Sequence, residues 1–572
     1  MTPMHKPRPV LKPLLAALLV GAAPAHGLAQ VAAQVLAQQA PPNAGAILQQ
    51  MQPPAPPVAP QKSPTLEVRP KSDAGLPTSQ PIAVKTLRIT GNTAFATETL
   101  HALVADQEGK SLTLQQLEAV AARITAYYQA NGHPVSRAVI PVQSITDGTI
   151  IIQVVEARYG NVRLNNRSGV GDAVLNATLA PLVAGALIAD AALDRTLLLL
   201  SDVPGVGVNA VLKPGATVGT SDIEIEARET GTSFANLALD NYGNRYIGRA
   251  RLSGNVSVLN PLHAGDVLSA GITTTGDGMN YGRLAYDALL NGQGTRVGSA
   301  FSALRYRLGS TASALDANGT ATVGSAWIRH PFIRSKQTNL YAQVQYDAKK
   351  LRDHIDVSDL RTDRHLRNWI VSVNADQRDT VLGGGMSTAT LSWTSGRSVF
   401  DNADAAAADA ATARARGGYA KWNLNLARLQ GLTPRDTLYL AFGGQWADRN
   451  LDSAEKMSAG GPYTVRAYDI GAVSGDTGYT ASAELRHELG TLLSGSWQAQ
   501  AFIDNARVRI NRQPWTSAEN GVTLSGAGVG LNWTGPDQWR ATAAVAARLG
   551  AAPALLSRQS SVRAWLVVNK NF

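Results

Sequence analysis

From Ser233 to Phe572, about 340 residues, polar and apolar side chains alternate with a period of two, which commits this part of the chain to strands facing two different environments. Arg249, Arg251, Ser253, Asn255 and Ser257 alternate with Ala250, Leu252, Gly254, Val256 and Val258. Leu340, Ala342, Val344 and Tyr346 alternate with Tyr341, Gln343, Gln345 and Asp347; Trp369, Val371, Val373 and Ala375 alternate with Ile370, Ser372, Asn374 and Asp376. A soluble β-sandwich alternates too, but its apolar face holds large interlocking residues. Here that face holds Ala, Gly, Val and Leu, and the other repeats Arg, Asn and Gln. Lipid outside and water inside account for both faces. Strands of ~10 residues with connections of similar length give about 16 antiparallel strands, and a barrel that wide leaves a channel. The expected fold is β-dominated, with a transmembrane β-barrel over residues 232–572. Asn260 to Asp266 reads as a periplasmic turn, the Ala-rich stretch 401–417 as a surface loop, and the terminal Phe572 as the aromatic end of an outer-membrane barrel.

No apolar run reaches the ~18 residues of a spanning helix, so strands are the membrane-crossing elements. The one strongly apolar run lies at the start: His5, Lys6, Arg8 and Lys12 precede Leu14 to Ala23, and Gly27-Leu28-Ala29 stands before Gln30. A cationic end, an apolar middle and a small-residue exit, in that order, predict a secretory signal over residues 1–29. The 572-residue chain has no cysteine, so an exported form has neither a disulfide framework nor thiolate chemistry. Part of the net charge of +10 belongs to the signal; a moderately basic lumen or surface accounts for the remainder, and no nucleic-acid partner is implied.

Two segments connect signal and barrel. Residues 30–81 hold a short helix candidate, Asn43 to Met51, with Ile47, Leu48 and Met51 on one face. A proline-rich stretch from 53 to 81 follows, and reads as an extended tether of polyproline type. From these residues alone, 43–51 is better described as a disordered tail. Residues 82–157 read β-α-α-β-β: a strand Ile82 to Ile89, helices Glu98 to Val104 and from Thr113 (a capping box with Gln116) to Asn131-Gly132, then strands Ala138 to Val142 and Thr149 to Glu156. The order repeats over 158–231, with strands Tyr159 to Leu164, Val206 to Lys213 and Thr220 to Glu229 around two helices, Asp172 to Leu182 and Asp190 to Leu200.

Within the barrel, Gly460-Gly461-Pro462-Tyr463-Thr464-Val465-Arg466-Ala467-Tyr468-Asp469 reads as a loop with a single cation. A loop cation enclosed in a barrel needs a fixed anion. Glu484 and Arg486 share a parity against Ala483 and Leu485, and Gln498, Gln500 and Asp504 against Ala501 and Ile503, so both carboxylates face the lumen. An Arg–carboxylate pair in a confined site can be bidentate. Enzyme signatures fail: His487-Glu488 lacks the second histidine of a zinc protease motif, and Gly526 to Gly530 lacks the last glycine and the context of a nucleotide-binding turn.

Taken together these residues resemble the outer-membrane transporters of two-partner secretion (TpsB-type, haemolysin-activator and filamentous-haemagglutinin transporters), in the superfamily that also contains barrel-assembly insertases. The likeness runs from Asn43 to Phe572. Gly91-Asn92-Thr93, Tyr128 to His133, Ser136 to Gln143, Asp147-Gly148 and Val155-Glu156 are similar to the family's first polypeptide-transport-associated (POTRA) module. Leu193-Asp194-Arg195, Asp202 to Val206 and Lys213-Pro214-Gly215 are similar to its second. Asn450 to Met457 and Gly460 to Tyr468 resemble barrel landmarks, the latter the tip of a loop folded into the lumen. The resemblance implies a plug helix at 43–51, a latch of Arg466 with Asp504 and Glu484 nearby, and Tyr468 at the loop tip. It also implies a secreted exoprotein with an N-terminal secretion domain as partner, the barrel-assembly machinery and outer-membrane lipid during biogenesis, and no cofactor or metal. An insertase or a plain porin are the other readings of such a chain. The family's usual glycines after the arginine and two residues after the aspartate are Ala467 and Ala506 here.

Overall fold

The structure, a computed structural model, describes residues 41–51, 65–68 and 80–572 apart from 146, 493, 557 and 558; the predicted signal lies outside them. Sixteen strands close into one antiparallel barrel in which the last pairs with the first. They are β1 (Ser233–Asp240), β2 (Arg251–Leu259), β3 (Val267–Thr274), β4 (Met279–Leu289), β5 (Arg296–Arg307), β6 (Ala317–Arg334), β7 (Thr338–Ile355) and β8 (Leu360–Asp379). The second half comprises β9 (Gly385–Phe400), β10 (Gly417–Gly431), β11 (Asp436–Ala447), β12 (Thr477–Leu492), β13 (Gly495–Arg509), β14 (Gly521–Thr534), β15 (Trp539–Arg548) and β16 (Val562–Asn571). Phe572 continues the closing seam, exchanging backbone hydrogen bonds with Ala235 (2.9 and 3.3 Å) while its ring stays exposed.

The alternation sorts side chains as the two solvents require. Phe301, Trp369, Val371, Leu391, Ile503 and Leu566 lie exposed on the outside, whereas Lys349, Arg364, Asn368, Glu484 and Asp504 are buried inside. The stretch predicted as an Ala-rich surface loop contains a helix, Ala403–Ala411. Between β11 and β12 the chain leaves the wall, and Met457–Ala459 pairs with Val473–Gly475 as a short ribbon.

Each of the two N-terminal modules has its own apolar core. In the first, helix Leu114–Ala130, opened by the Thr113–Gln116 capping box, covers a sheet of Thr86–Thr90, Thr149–Val155 and Arg137–Val139. Two predicted strands are shorter than expected. Ile82 to Ile89 breaks because Val84 and Lys85 donate instead to the Lys110 and Gly148 carbonyls (2.9 and 2.8 Å), and the strand before Pro141 ends at Val139, since proline offers no ladder donor. Where the modules meet, Glu156 accepts from the Thr93 and Ala94 N–H groups (2.6 and 2.7 Å) and from the Tyr128 hydroxyl (2.8 Å). Burial pushes its carboxyl up, but these hydrogen bonds prevail and hold it below the usual carboxylate range.

The second module sits directly against the barrel. Arg334 at the end of β6 donates two bonds of 2.7 Å to Asp202, Lys336 pairs with Asp194 at 2.7 Å, and the predicted 260–266 turn meets the module through His263, whose carbonyl accepts from Gly171 N–H at 2.9 Å. The tether departs from its predicted form. Thr65–Val68 is a strand, paired in parallel with the edge strand Val206–Pro214 of the second module. Its proline-free run Thr65-Leu66-Glu67-Val68, flanked by Pro64 and Pro70, can extend a sheet where the surrounding prolines cannot, and Leu66 packs on the module's core.

Candidate functional site

The lumen is crossed by two pieces of the chain itself, the loop between β11 and β12 and helix α1 (Ala44–Gln50). Loop residue Arg466 meets both predicted carboxylates. Its backbone N–H and Nε donate to Asp504 Oδ2 (3.0 and 2.9 Å), its Nη2 to Asp504 Oδ1 (2.9 Å), and its Nη1 to Glu484 Oε2 (2.7 Å). Ser482 donates its hydroxyl to Asp504 Oδ1 (2.8 Å), Trp565 Nε1 donates to the Arg466 carbonyl (2.7 Å), and the guanidinium lies 3.3 Å from the centroid of the Phe502 ring. Val465, Ala467 and Tyr468 are buried in an apolar cluster with Phe502, Ala506, Val508 and Leu524. Ala467 takes the room that Gly526 leaves: a Cβ on Gly526 would lie 2.5 Å from that of Ala467. The left-handed positions of the loop fall at Gly460, Gly461 and Gly471 (φ +102°, +106° and +65°), so alanine at 467 needs no strained backbone.

A second polar cluster, which sequence reasoning missed, holds the inbound limb of the loop. Glu455, 2% exposed, accepts from Lys349 Nζ (2.7 Å) and Asn368 Nδ2 (2.8 Å) and pairs with Lys421 (2.9 Å). Next to it Arg364, also 2% exposed, pairs with Asp353 on the wall (2.7 Å) and Asp452 on the limb (2.6 Å). The parity of Lys349 and Arg364 marks them as lumenal, but a loop without periodicity gives no sign of which residue returns to them.

Helix α1 rests on that limb. Asn43 caps it by accepting from Ala46 N–H (3.0 Å), Ala44 N–H donates to Asp353 (2.8 Å), and Gln49 Nε2 donates to the Ala454 carbonyl. Ile47 and Leu48 are buried with Leu304, Tyr306, Leu351 and Leu451, and Met51 is partly buried beside them, so the three predicted residues share the packed face. Gly45 sets the approach: a Cβ there would fall 2.5 Å from Ser453 Oγ and 2.6 Å from the Ala454 nitrogen. Overpacking of this kind costs about 1–3 kcal/mol, a shift of roughly 5- to 150-fold in the seated population. Gly45→Val is therefore expected to raise the open-channel fraction of the reconstituted protein in planar bilayers, and unchanged conductance would show that α1 does not close the pore. Below the helix, Gln49, Gln50 and Met51 look into a vestibule of about 2080 Å³ that is also lined by Leu198, Leu199 and Ser201 to Val208 of the second module and by Arg334, Asn374 and Asn423 of the wall.

Comparison with known proteins matches this arrangement. Residues 219–533 match the family model of haemolysin secretion/activation proteins ShlB/FhaC/HecB, and residues 82–157 the ShlB-type POTRA domain. The chain belongs to this family. Its relatives include the heme/hemopexin transporter protein HuxB of Haemophilus influenzae (strain 86-028NP), 25% identical over 460 residues, 80% of this chain and 81% of HuxB. The outer membrane transporter CdiB of Escherichia coli O6:K15:H31 (strain 536 / UPEC) is 22% identical over 495 residues, 83% of this chain and 80% of CdiB. The solved structure of CdiB from Escherichia coli shares the fold with a TM-score of 0.69 at 19% identity, covering 95% of this chain and 98% of that one. The ShlB-family chain is thus an outer-membrane transporter that secretes a partner exoprotein, with its POTRA region in the periplasm. The strand ends beside the second module are then periplasmic, and the opposite ends extracellular.

Proposed function

We propose that the transporter exports one large, β-helix-forming exoprotein of haemolysin or adhesin type, through its own barrel and without nucleotide hydrolysis. What carries the reading is that both elements across the lumen, α1 and the Arg466 loop, belong to this chain and are held by polar contacts over a vestibule open to the second module. The unfolded client binds the POTRA modules, α1 leaves on its tether, the client passes the loop, and folding at the surface opposes its return. Arg466 with Asp504 and Glu484 acts as the latch of the loop tip, with Tyr468 packed behind it. An open sheet edge offers backbone hydrogen bonds to an extended client. At rest, Thr65–Val68 occupies that edge on Val206–Pro214, so tether and client compete for it. Arg466, Glu455 and Arg364 are each held by fixed partners of opposite charge, an arrangement that keeps the loop and α1 in place. Assembly into the membrane uses the barrel-assembly machinery and the surrounding lipid.

Removing the chain from its host is expected to abolish appearance of the partner exoprotein in the medium, read by immunoblot, while other outer-membrane proteins keep their levels. Undiminished secretion would sink the proposal. A general loss of outer-membrane proteins would favour the insertase reading, for which the observation is the shared fold of BamA from Haemophilus ducreyi (TM-score 0.51, 14% identity).

A further inference from the structure

The outer face of strands β7–β9 changes character at one level on each strand. Moving towards the extracellular end, β7 presents Val344, Tyr346, Ala348, Lys350 and Arg352; β8 presents Val371, Trp369 and Arg367; β9 presents Leu391, Trp393, Ser395 and Arg397. Apolar residues give way to an aromatic girdle, the mark of the membrane interface, and then to cations. Two residues along a strand span about 6–7 Å, so Arg367 stands one head-group layer above Trp369. Arg305 of β5 joins from the side, opposite Thr320, which is itself opposite Arg352.

Arg305, Lys350, Arg352, Arg367 and Arg397 are exposed, and among the described residues none has a carboxylate within ion-pair distance. The acids of the region do not satisfy them: Asp401 pairs with His365 (2.7 Å), Asp359 with Arg361 (3.3 Å), and Asp363, opposite Arg352 in register, forms no ion pair. Arg367 and Arg397 are direct cross-strand partners. Like charges directly opposite one another in a sheet are destabilising, and an anion between them reverses the sign of that interaction. Facing outward above the girdle, the anion that meets them is the phosphate of an outer-leaflet lipid.

We propose that this surface is a seat for phosphorylated lipid head groups of the outer leaflet. It backs the wall that holds the loop and the plug. Lys349, Asp353, Arg364 and Asn368 project inward from the same stretches of β7 and β8 that project Lys350, Arg352 and Arg367 outward. Lipid bound outside thereby stiffens the strands that grip Glu455, Asp452 and Ala44 inside.

The test uses the full-length protein in detergent, with thermal unfolding measured against added diphosphoryl lipid A, its dephosphorylated form, and inorganic phosphate at equal phosphate concentration. Diphosphoryl lipid A is expected to raise Tm by about 4 °C or more, and the other two to leave it unchanged. Lys350→Gln, Arg352→Gln, Arg367→Gln and Arg397→Gln combined are expected to remove the shift; Arg507→Gln with Arg509→Gln, on the distant outer face of β13, to keep it. Should the fourfold variant not fold, Arg397→Gln alone is expected to shrink the shift. An equal rise with dephosphorylated lipid, a rise with inorganic phosphate alone, or a full shift in the fourfold variant or in Arg397→Gln would overturn the proposal.

Discussion

Asp504→Ala is expected to cut release of the exoprotein into the medium at least about tenfold while the barrel still reaches the membrane. Asp504 is 1% exposed and accepts from the Arg466 backbone N–H, from Nε and Nη2 of its guanidinium and from Ser482. Removing one member of a buried ion pair costs about 3–5 kcal/mol; Arg466 keeps Glu484 but loses its bidentate acceptor, so the lower end of that range applies, enough to shift the docked tip by about two orders of magnitude. The tip then also withdraws Val465, Ala467 and Tyr468 from the wall, placing an apolar, unanchored segment in the path of the client. Two readouts separate this from simple instability: heat-modifiable mobility of the barrel stays as in the wild type, and Tyr463→Cys near the tip labels faster with a membrane-impermeant maleimide in the variant, with no native cysteine to compete. Exchanging the charges, Arg466→Asp with Asp504→Arg, is not expected to rescue secretion. The new aspartate would face Glu484, and the new arginine would have no acceptor to offer the loop N–H or Ser482. Wild-type secretion and labelling in Asp504→Ala would remove the latch from the mechanism.

The barrel was legible because a lipid-facing strand leaves a period-two trace in every segment, and the same parity turned Glu484 and Asp504 into the lumen, where the family resemblance named Arg466 as their partner. Strand length was not legible. β7 and β8 run to 18 and 20 residues, well beyond the ~10 that cross the bilayer, because alternation continues above the membrane where Lys350 and Arg352 replace Val344 and Tyr346. The Glu455 and Arg364 clusters escaped for a different reason: their partners lie 106 and 88 positions away, on a limb whose fold depends on the finished barrel. Ala467 shows how a missing glycine is accommodated across space, since the small residue that makes room is Gly526 on the wall and the positive-φ positions lie elsewhere in the loop. In the tether, proline frequency concealed four residues with strand character; their edge partner, Val206–Pro214, is more than 130 positions downstream.

That short strand yields the sharpest test of how the periplasmic side works. Glu67 and Val211 are register partners on neighbouring parallel strands, where Cα atoms lie about 4.8 Å apart, inside the range a disulfide bridges. Glu67→Cys with Val211→Cys therefore fastens the tether to the edge of the second module in a protein with no other cysteine. The 13 residues from 52 to 64 still span at most about 45 Å, so α1 keeps slack to leave the lumen and the lock acts on the edge itself. Oxidised, the variant is expected to secrete less than about one tenth of the wild-type amount, because four backbone-paired residues can no longer yield to the client. Reduction is expected to restore secretion, and either single cysteine to behave as wild type under both conditions. If the oxidised double variant secretes normally, the client enters without this edge, and recognition moves to the other edges of the two modules, Thr86–Thr90 and Arg137–Val139 in the first and Arg158–Arg167 in the second. If secretion is lost and stays lost after reduction, the substitutions have damaged the module and the single variants report it. Competition between tether and client thus predicts one specific pattern, loss that a reductant reverses, because only a blocked edge can be unblocked by cutting the bond between positions 67 and 211.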